Sequence, residues 1–430
     1  MSGLGRTGAD GIKPPLSFIS TVSDCFLHNY NCVLVRIRRC PPLIRLPNPI
    51  SNVIRARDIL RDVIIQAFEE AGWPEDGLDH DDFGIRATEQ GHVTSKGQIG
   101  RKAKELSYNA DRSLDSVFNQ MKMITELFRI LGWLMPVPDS RSRFLVTPLG
   151  RQVSKFTGAT FDTIKSRSRV ISEHELLRSS LLNVCFPHPH TNANYGYSQR
   201  TFLLILRVAE AVGGYLTREE MMLTALEVSN DRSAKAVKIC TDKIKAWRTG
   251  QASFESAMDA FLRSNSKADG TPVQFSSLAN YTRFTLAVIR DVGWFEVKTA
   301  KELPHNVRQE YVTELGPSKA RHVQVNTLTN AGREELTRVS TLKDIRWQDL
   351  QGADEKDLAW LVVLFMASKA CREIDATLAA KLDRGASVLR NLGVKVDTVR
   401  SGKLKPLPIL FEPSQQLPSR VLLHAEKLVR

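Results

Sequence analysis

Two acid-x-Lys triplets are the residues most able to do covalent chemistry in this 430-residue chain. Such a triplet, with a further Asp on a neighbouring strand, can hold Mg2+ and position a water for phosphodiester cleavage. Glu296-Val297-Lys298 reads as a strand, but its nearest upstream acid, Asp291, is too close in sequence to occupy a separate strand. Asp354-Glu355-Lys356 falls at a helix start. No catalytic set is assigned, and Glu296 with Lys298 is the candidate should one exist. Mg2+ is implied only on that reading, and no other cofactor is. The chain has no Gly-x-x-x-x-Gly-Lys loop, dinucleotide fingerprint or Ser/His/Asp order. Cys185-Phe186-Pro187-His188-Pro189-His190 holds three potential ligands in six residues. Structural zinc closes with four ligands, and no fourth lies nearby, so no metal is implied. The six cysteines, at 25, 32, 40, 185, 240 and 371, form no Cys-x-x-Cys pair and read as reduced thiols.

The remaining chemistry is electrostatic. Sixty Lys and Arg against 47 Asp and Glu leave a formal charge of +13, which favours a polyanion partner. Residues 141–169 carry seven basic residues and one acid, Asp162. Residues 232–248 carry six and one acid, Asp242. No apolar run reaches the ~18–20 residues that a membrane span needs. The longest, 358–367, is the length of a core helix. With no signal-like N-terminal pattern, the expected location is cytoplasmic, with no membrane partner.

The elements that must position these charges repeat. In residues 121–156, Met123, Leu127, Ile130, Leu131 and Leu134 keep helical spacing up to a Gly132-Trp133 stop. Two short strands follow, 134–137 and 144–147, with 139–143 as the tip between them. Thr147-Pro148-Leu149-Gly150 then opens another helix, with Pro148 at its first position. Helix, two-stranded wing and helix describe a winged helix. Residues 285–338 repeat the pattern with a longer wing. Gly293-Trp294-Phe295 matches Gly132-Trp133-Leu134, and Thr329-Asn330-Ala331-Gly332-Arg333 matches Thr147-Pro148-Leu149-Gly150-Arg151. Both tryptophans are expected in cores.

The predicted fold class is mainly α with small β-wings: tandem winged-helix or helix-turn-helix domains and a C-terminal helical segment. The expected divisions are an irregular segment, 1–49; a first winged helix, 50–157; a helical linker domain, 158–264; a second winged helix, 265–340; a helical segment, 341–403; and a proline-rich tail, 404–430. In the linker, Thr217 and Glu220 fit a capping box.

Gly100-Arg101-Lys102, the Val146-Thr147-Pro148-Leu149-Gly150 run and Leu203 to Leu226, with Gly-Tyr-Leu-Thr-x-Glu-Glu at 214–220, together resemble one family. It is the DNA-recognition part of AlwI-type type IIS restriction and nicking endonucleases, and the likeness covers residues 50–340. The resemblance implies tandem winged helices that read an asymmetric DNA site, followed by a separate C-terminal nuclease domain. The missing metal triad departs from that pattern. The leading expectation is thus a double-stranded DNA recognition protein or subunit of a restriction-like or antiviral defence system, without its own nuclease. The tail would dock a catalytic protein partner. The alternatives are a self-contained metal-dependent endonuclease or nickase, and a winged-helix module for protein interaction or transcriptional regulation.

The DNA-binding candidates follow from placement. Lys96, Arg101, Lys102 and Lys104 lie in the basic turn and short helix at 94–106. Asn119, Gln120 and Lys122 lie on the helix assigned to the major groove, the two amides suiting adenine. Arg141 and Arg143 lie on the first wing, and Arg151, Lys165, Arg167 and Arg169 lie behind it. The second copy offers Asn280, Arg283 and Arg290 on its helix, with Lys319 and Arg321 on its wing.

Overall fold

The computed structural model describes residues 58–107, 115–140, 142–154, 173–186, 198–225, 227–264, 285–286, 288–290, 292–299, 324–370, 373–397 and 399–429. The protein is mainly α-helical with small β-pairs, as its patterning predicts. None of its helices among these residues is long and apolar enough to cross a membrane.

The first unit begins with α1, where Leu60–Ile65 in π-helical turns runs into Gln66–Glu70. Leu60, Val63, Ile64, Ala67 and Phe68 are its buried stripe. After a turn at Gly72 and Trp73, Leu78 bridges antiparallel to Phe144. Helix α2 (His80–Glu89) opens with a reciprocal capping box between Asp79 and Asp82. Then come α3 (Gly100–Ser107) and α4 (Ser116–Ile130), the latter capped by Asp115, which accepts from the N–H groups of Val117 and Phe118. Strands β1 (Leu134–Pro136) and β2 (Phe144–Val146) pair antiparallel, Leu134 opposite Val146, and α5 (Pro148–Ser154) follows. Across this sheet the order is Leu78, β2, β1.

Helix α6 (Glu173–Asn183) leads to a second unit with the same order. Helix α7 (Thr201–Ala211) is apolar on most sides and buried from Thr201 through Leu206. Strand β3 (Tyr215–Thr217) precedes α8 (Arg218–Leu223), which has the capping box that the sequence predicts: Glu220 N–H donates to Thr217 Oγ1 at 3.1 Å, and Thr217 N–H donates to Glu220 Oε2 at 2.8 Å. Two inserted helices, α9 (Ala234–Thr249) and α10 (Phe254–Ser264), come next. Residues 285–286 and 288–290 are helical and feed β4 (Phe295–Thr299). Strand β5 (Gln324–Leu328) and α11 (Asn330–Ser340) complete the unit, with sheet order β3-β5-β4. Strand β3 comes from the stretch read as a linker, so the sheet joins residues 158–264 to 265–340. A strand of three buried residues, Tyr215 to Thr217, has no alternation by which sequence could announce it.

One hydrogen-bonded lock recurs in both units. Thr147 Oγ1 donates to Gly132 O at 2.6 Å, and Thr329 Oγ1 donates to Gly293 O at 2.6 Å. Each hydroxyl also accepts from a glycine N–H three residues on, Gly150 at 3.0 Å and Gly332 at 3.1 Å. Trp133 and Trp294 are both 0% exposed. Each glycine lets a helix start approach the tryptophan backbone. A Cβ at Gly150 would sit 2.2 Å from Trp133 O, and one at Gly332 would sit 2.7 Å from Trp294 O. The repeat of Gly-Trp and Thr-x-x-Gly in the sequence is thus a repeat of the joint between helix, wing and following helix.

The C-terminal part has its own core. Helices α13 (Glu355–Ala370), α14 (Ala376–Asn391) and α16 (Ser419–Val429) pack together, after the short β6 (Lys343–Asp344) and α12 (Trp347–Leu350). Strand β7 (Glu373–Ile374) pairs antiparallel with β8 (Gly402–Lys403), and β9 (Ile409–Leu410) pairs parallel with β6. The expected docking tail is folded into this core. Ile409, Leu410 and Phe411 are buried, and α15 (Pro413–Gln416) points Gln415 Nε2 at Ile130 O, 2.9 Å away at the end of α4. The apolar cluster at 407–411 therefore satisfies its own chain, and nothing in its placement supports a partner there.

A buried ionic cluster ties these parts together. Arg200 and Arg346 are both 0% exposed. Arg200 donates to Asp344 at 2.7 Å and to the carbonyls of Asn183, Ile345 and Leu410. Arg346 meets Asp231 at 2.6 Å and Asp344 at 2.6 Å. Burial alone would raise the Asp344 carboxyl, but Arg200 and Arg346 outweigh it and hold it at about 2. Planar guanidinium forks suit this role, since each can satisfy several acceptors at once. Cys185 lies within the field of the same arginines, yet burial pushes its thiol up, and burial pushes Cys240 up to about 11. Both thiols are free and buried, in keeping with reduced, unreactive cysteines.

Candidate nucleic-acid interface

The helix assigned to the major groove is covered. Every described position of α4 is buried or half-buried. Asn119 is 4% exposed, which corrects its reading as an adenine-facing amide. Gln120 Nε2 donates to Thr94 O at 2.8 Å. Lys122 is half-buried, and burial lowers its pKa against an upward pull from Glu126. The cover is the segment just before α4. Ser95 and Gln98 close a tight turn by mutual backbone hydrogen bonds, and Ser116 Oγ donates to Ser95 Oγ at 3.1 Å. Ser107, at the end of α3, donates to the Asp115 carboxylate and accepts from Val117 N–H at 2.9 Å. Helix α3 thus seats Ala103 and Ser107 inward, four residues apart on one face.

The outward face of α3 carries the charge. Lys96, Arg101, Lys102 and Lys104 are all exposed, and so is Ile99, at 60%. Arg101 pairs with Glu105 at 3.1 Å across one helical turn, and its side chain is still 93% exposed. No hydrogen bond or ion pair among the described residues engages Lys96, Lys102 or Lys104. Lys96 sits at φ 48 beside Gly97 at φ 75, so the turn itself throws the lysine outward. These four cations are the sequence candidates that the structure gathers on one exposed segment. Ile99 was not singled out, because an isolated apolar residue in a polar turn carries no periodic signal.

The first wing is used differently from the expectation. Arg143 Nε donates to Asp76 O at 2.6 Å, and its Nη2 lies 2.8 Å from the Asp76 carboxylate. It clamps the wing to the loop before Leu78 rather than projecting from the tip. Arg151 is exposed with its guanidinium 4.2 Å over the Trp73 ring, a cation–π contact that leaves its edge open to solvent. Arg141, Lys165, Arg167, Arg169, Asn280, Arg283, Lys319 and Arg321 lie outside the described residues.

In the second unit four of the six basic residues at 232–248 are paired, and Lys235 and Lys245 remain exposed with no ion pair among the described residues. Arg232 makes a two-pronged pair with Asp349 at 2.7 Å on both arms. Lys238 pairs with Asp242 at 2.5 Å and Lys243 with Glu227 at 3.4 Å. Arg248 is buried against Glu220 at 2.7 Å and stacks 3.8 Å over Tyr215. Arg290 donates to Asn326 Oδ1 at 2.9 Å, and Asn326 in turn donates to Leu216 O, so this arginine braces the sheet. The i,i+4 pair of Lys238 and Asp242 was readable from spacing. The Arg232–Asp349 pair spans 117 positions and was not.

The acid-x-Lys triplets have structural partners. Glu296 and Lys298, on β4, pair with each other at 3.2 Å. Asp354 accepts from Lys356 N–H at 2.8 Å at the start of α13, and Glu355 pairs with Arg420 at 2.6 Å. Among the described residues no group of three His, Cys, Asp or Glu is arranged to hold a metal.

No protein-family profile matches this chain, and no curated protein is similar to it. Among solved structures, the restriction endonuclease FokI bound to DNA aligns at 13% identity and a TM-score of 0.29. The alignment covers 93% of this chain and 63% of that one, so this chain spans less than two thirds of that protein's length. A TM-score of 0.29 is too low to argue a shared fold.

Proposed function

We propose that this protein binds double-stranded DNA and serves as the recognition component of a restriction-like or defence system, with its two helix–wing units acting as winged helices. The observation that carries the reading is the exposed segment of the 95–98 turn and α3, where Lys96, Lys102 and Lys104 have no ion-pair partner among the described residues and stand beside Arg101. Exposed cations held on a seated turn and helix are suited to phosphate oxygens, because neutralising a phosphate releases condensed counterions. Phosphate contacts fix register and supply affinity, while base edges would supply sequence preference. The restriction context rests on the AlwI-type motifs at 100–102, 146–150 and 203–226, and the nuclease would then be a separate protein.

The full chain should bind a random-sequence duplex of about 30 base pairs at low salt and enrich a defined sequence on repeated selection. No duplex binding at low salt would remove nucleic acid from the account. Binding without any enrichment would remove recognition. Mg2+-dependent nicking by the purified chain, abolished by Glu296→Ala, would replace the reading with the self-contained nuclease.

A further inference from the structure

The C-terminal part carries a second basic surface that neither the motifs nor the family resemblance indicates. Between α14 and β9 the chain alternates anchors and cations. Val394 and Val399 are buried in the C-terminal core, and Val396, Leu404 and Leu407 pack against it. Between them Lys395, Arg400, Lys403 and Lys405 are all exposed. Lys403 lies on the β7–β8 ribbon, where its cross-strand neighbour is Glu373, and Asp397 is the other acid of the stretch. Neither acid forms an ion pair with these four cations.

The strip is marked by its density of charge: four cations and one acid, Asp397, fall between positions 395 and 405. On the three packed helices the arginines are paired, Arg384 with Asp357 at 2.7 Å, Arg390 with Asp383 at 3.0 Å and Arg420 with Glu355 at 2.6 Å, while the exposed Lys356, Lys381 and Lys427 stand singly, with no ion pair among the described residues. Among the described residues Arg400, a few residues beyond α14, has no ion-pair partner, nor have the three lysines around it. Lysine and arginine side chains on a loose loop lose rotamer entropy when they bind. Here the backbone is already fixed by alternate valines and leucines, by the ribbon pairing and by Pro406 and Pro408, so less ordering remains to be done on binding.

We infer that Lys395, Arg400, Lys403 and Lys405 form a phosphate-contacting strip for duplex DNA, giving affinity and footprint length without sequence preference. This rests on the duplex-binding reading above and adds to it a contact surface outside both helix–wing units. No base-reading amide or aromatic accompanies the four cations, so backbone neutralisation is the chemistry they support.

The test replaces Lys395, Arg400, Lys403 and Lys405 with Gln in the full chain and follows duplex affinity against salt. Each lost phosphate contact flattens the log–log slope by about 0.9, so a loss of roughly two to four units is expected. The ranking of selected sequences should stay unchanged, and footprinting should lose protection at one end of the site. A companion variant keeps Arg400 and replaces the three lysines alone, and thermal melting of both should match the parent. An unchanged slope, with the parent protein binding duplex normally, overturns the strip and leaves the α3 reading standing. Failure of the parent protein to bind any duplex overturns both. A changed sequence ranking would make the strip a base reader and so contradict the inference as stated.

Discussion

The two helix–wing units share a joint and differ in what they show to solvent. In both, a buried tryptophan follows a glycine stop, and a threonine hydroxyl ties the stop to the next helix at 2.6 Å. In both, extra helices lie between the second helix of the unit and the helix that feeds the wing: α3 in the first, α9 and α10 in the second. Among the described residues the first insert leaves Lys96, Lys102 and Lys104 without an ion-pair partner. The second neutralises Arg232, Lys238, Lys243 and Arg248 with Asp349, Asp242, Glu227 and Glu220. A shared joint thus carries inserts of different electrostatic outcome: most of the first insert's cations stand unpaired among the described residues, and four of the six in the second are paired. The count of basic residues in a segment does not report its free charge, because the neutralising acid can come from more than a hundred positions away.

The largest expected effect tests whether the joints are equivalent. Trp133→Ala and Trp294→Ala each remove a fully buried indole, and truncations of this size cost about 3–5 kcal/mol. Equilibrium unfolding in urea should show losses of similar size for the two. A loss below about 1 kcal/mol in either would mean that its joint does not organise its unit, since ordinary surface changes stay within about ±0.5 kcal/mol.

A finer comparison comes from the glycines. Gly150→Ala drives a methyl against a backbone carbonyl, 2.2 Å from Trp133 O. Gly332→Ala meets Trp294 O at 2.7 Å and a movable Leu328 methyl at 2.6 Å. Overpacking of this kind costs roughly 1–3 kcal/mol, and Gly150→Ala should lie at the upper end. Thermal melting that ranks Gly332→Ala as the more damaging would break the ordering.

Acid probes the junction between the units. The Asp344 carboxyl sits at about 2 in the folded protein and near 4 when unfolded, so it binds its proton more readily in the unfolded chain. Its contribution, about 2 kcal/mol, is fully present above pH ~4 and is lost as pH falls toward ~2. Asp344→Asn should flatten the fall in stability over that window. An unchanged acid limb would mean that Asp344 is not coupled to folding.

Much of this fold was legible because its signals are local. Helical periodicity found α1, α4 and α7, and the Thr217/Glu220 spacing found a capping box. The Gly-Trp and Thr-x-x-Gly pairs found both joints. What was missed depends on distant partners. Strand β3 acquires its meaning from β5, more than a hundred residues on. The α4 face looked available until the turn at 95–98 and α3 were laid over it. The 404–430 segment looked like a tail because its prolines hide a parallel pairing between β9 and β6 and an amphipathic α16.

The account turns on the difference between the two inserts, and salt-dependent duplex binding measures it directly. In one full-length variant Lys96, Lys102 and Lys104 become Gln, and in another the paired Arg232, Lys238 and Lys243 become Gln. Each set removes the same formal charge, so bulk electrostatics alone would predict equal effects. The α3 variant should flatten the log–log salt slope by about two to three units, at roughly 0.9 per phosphate contact, and the α9 variant should change it by less than about one. Equal slopes for the two variants, or a larger loss from α9, would contradict the assignment of the DNA contact to α3.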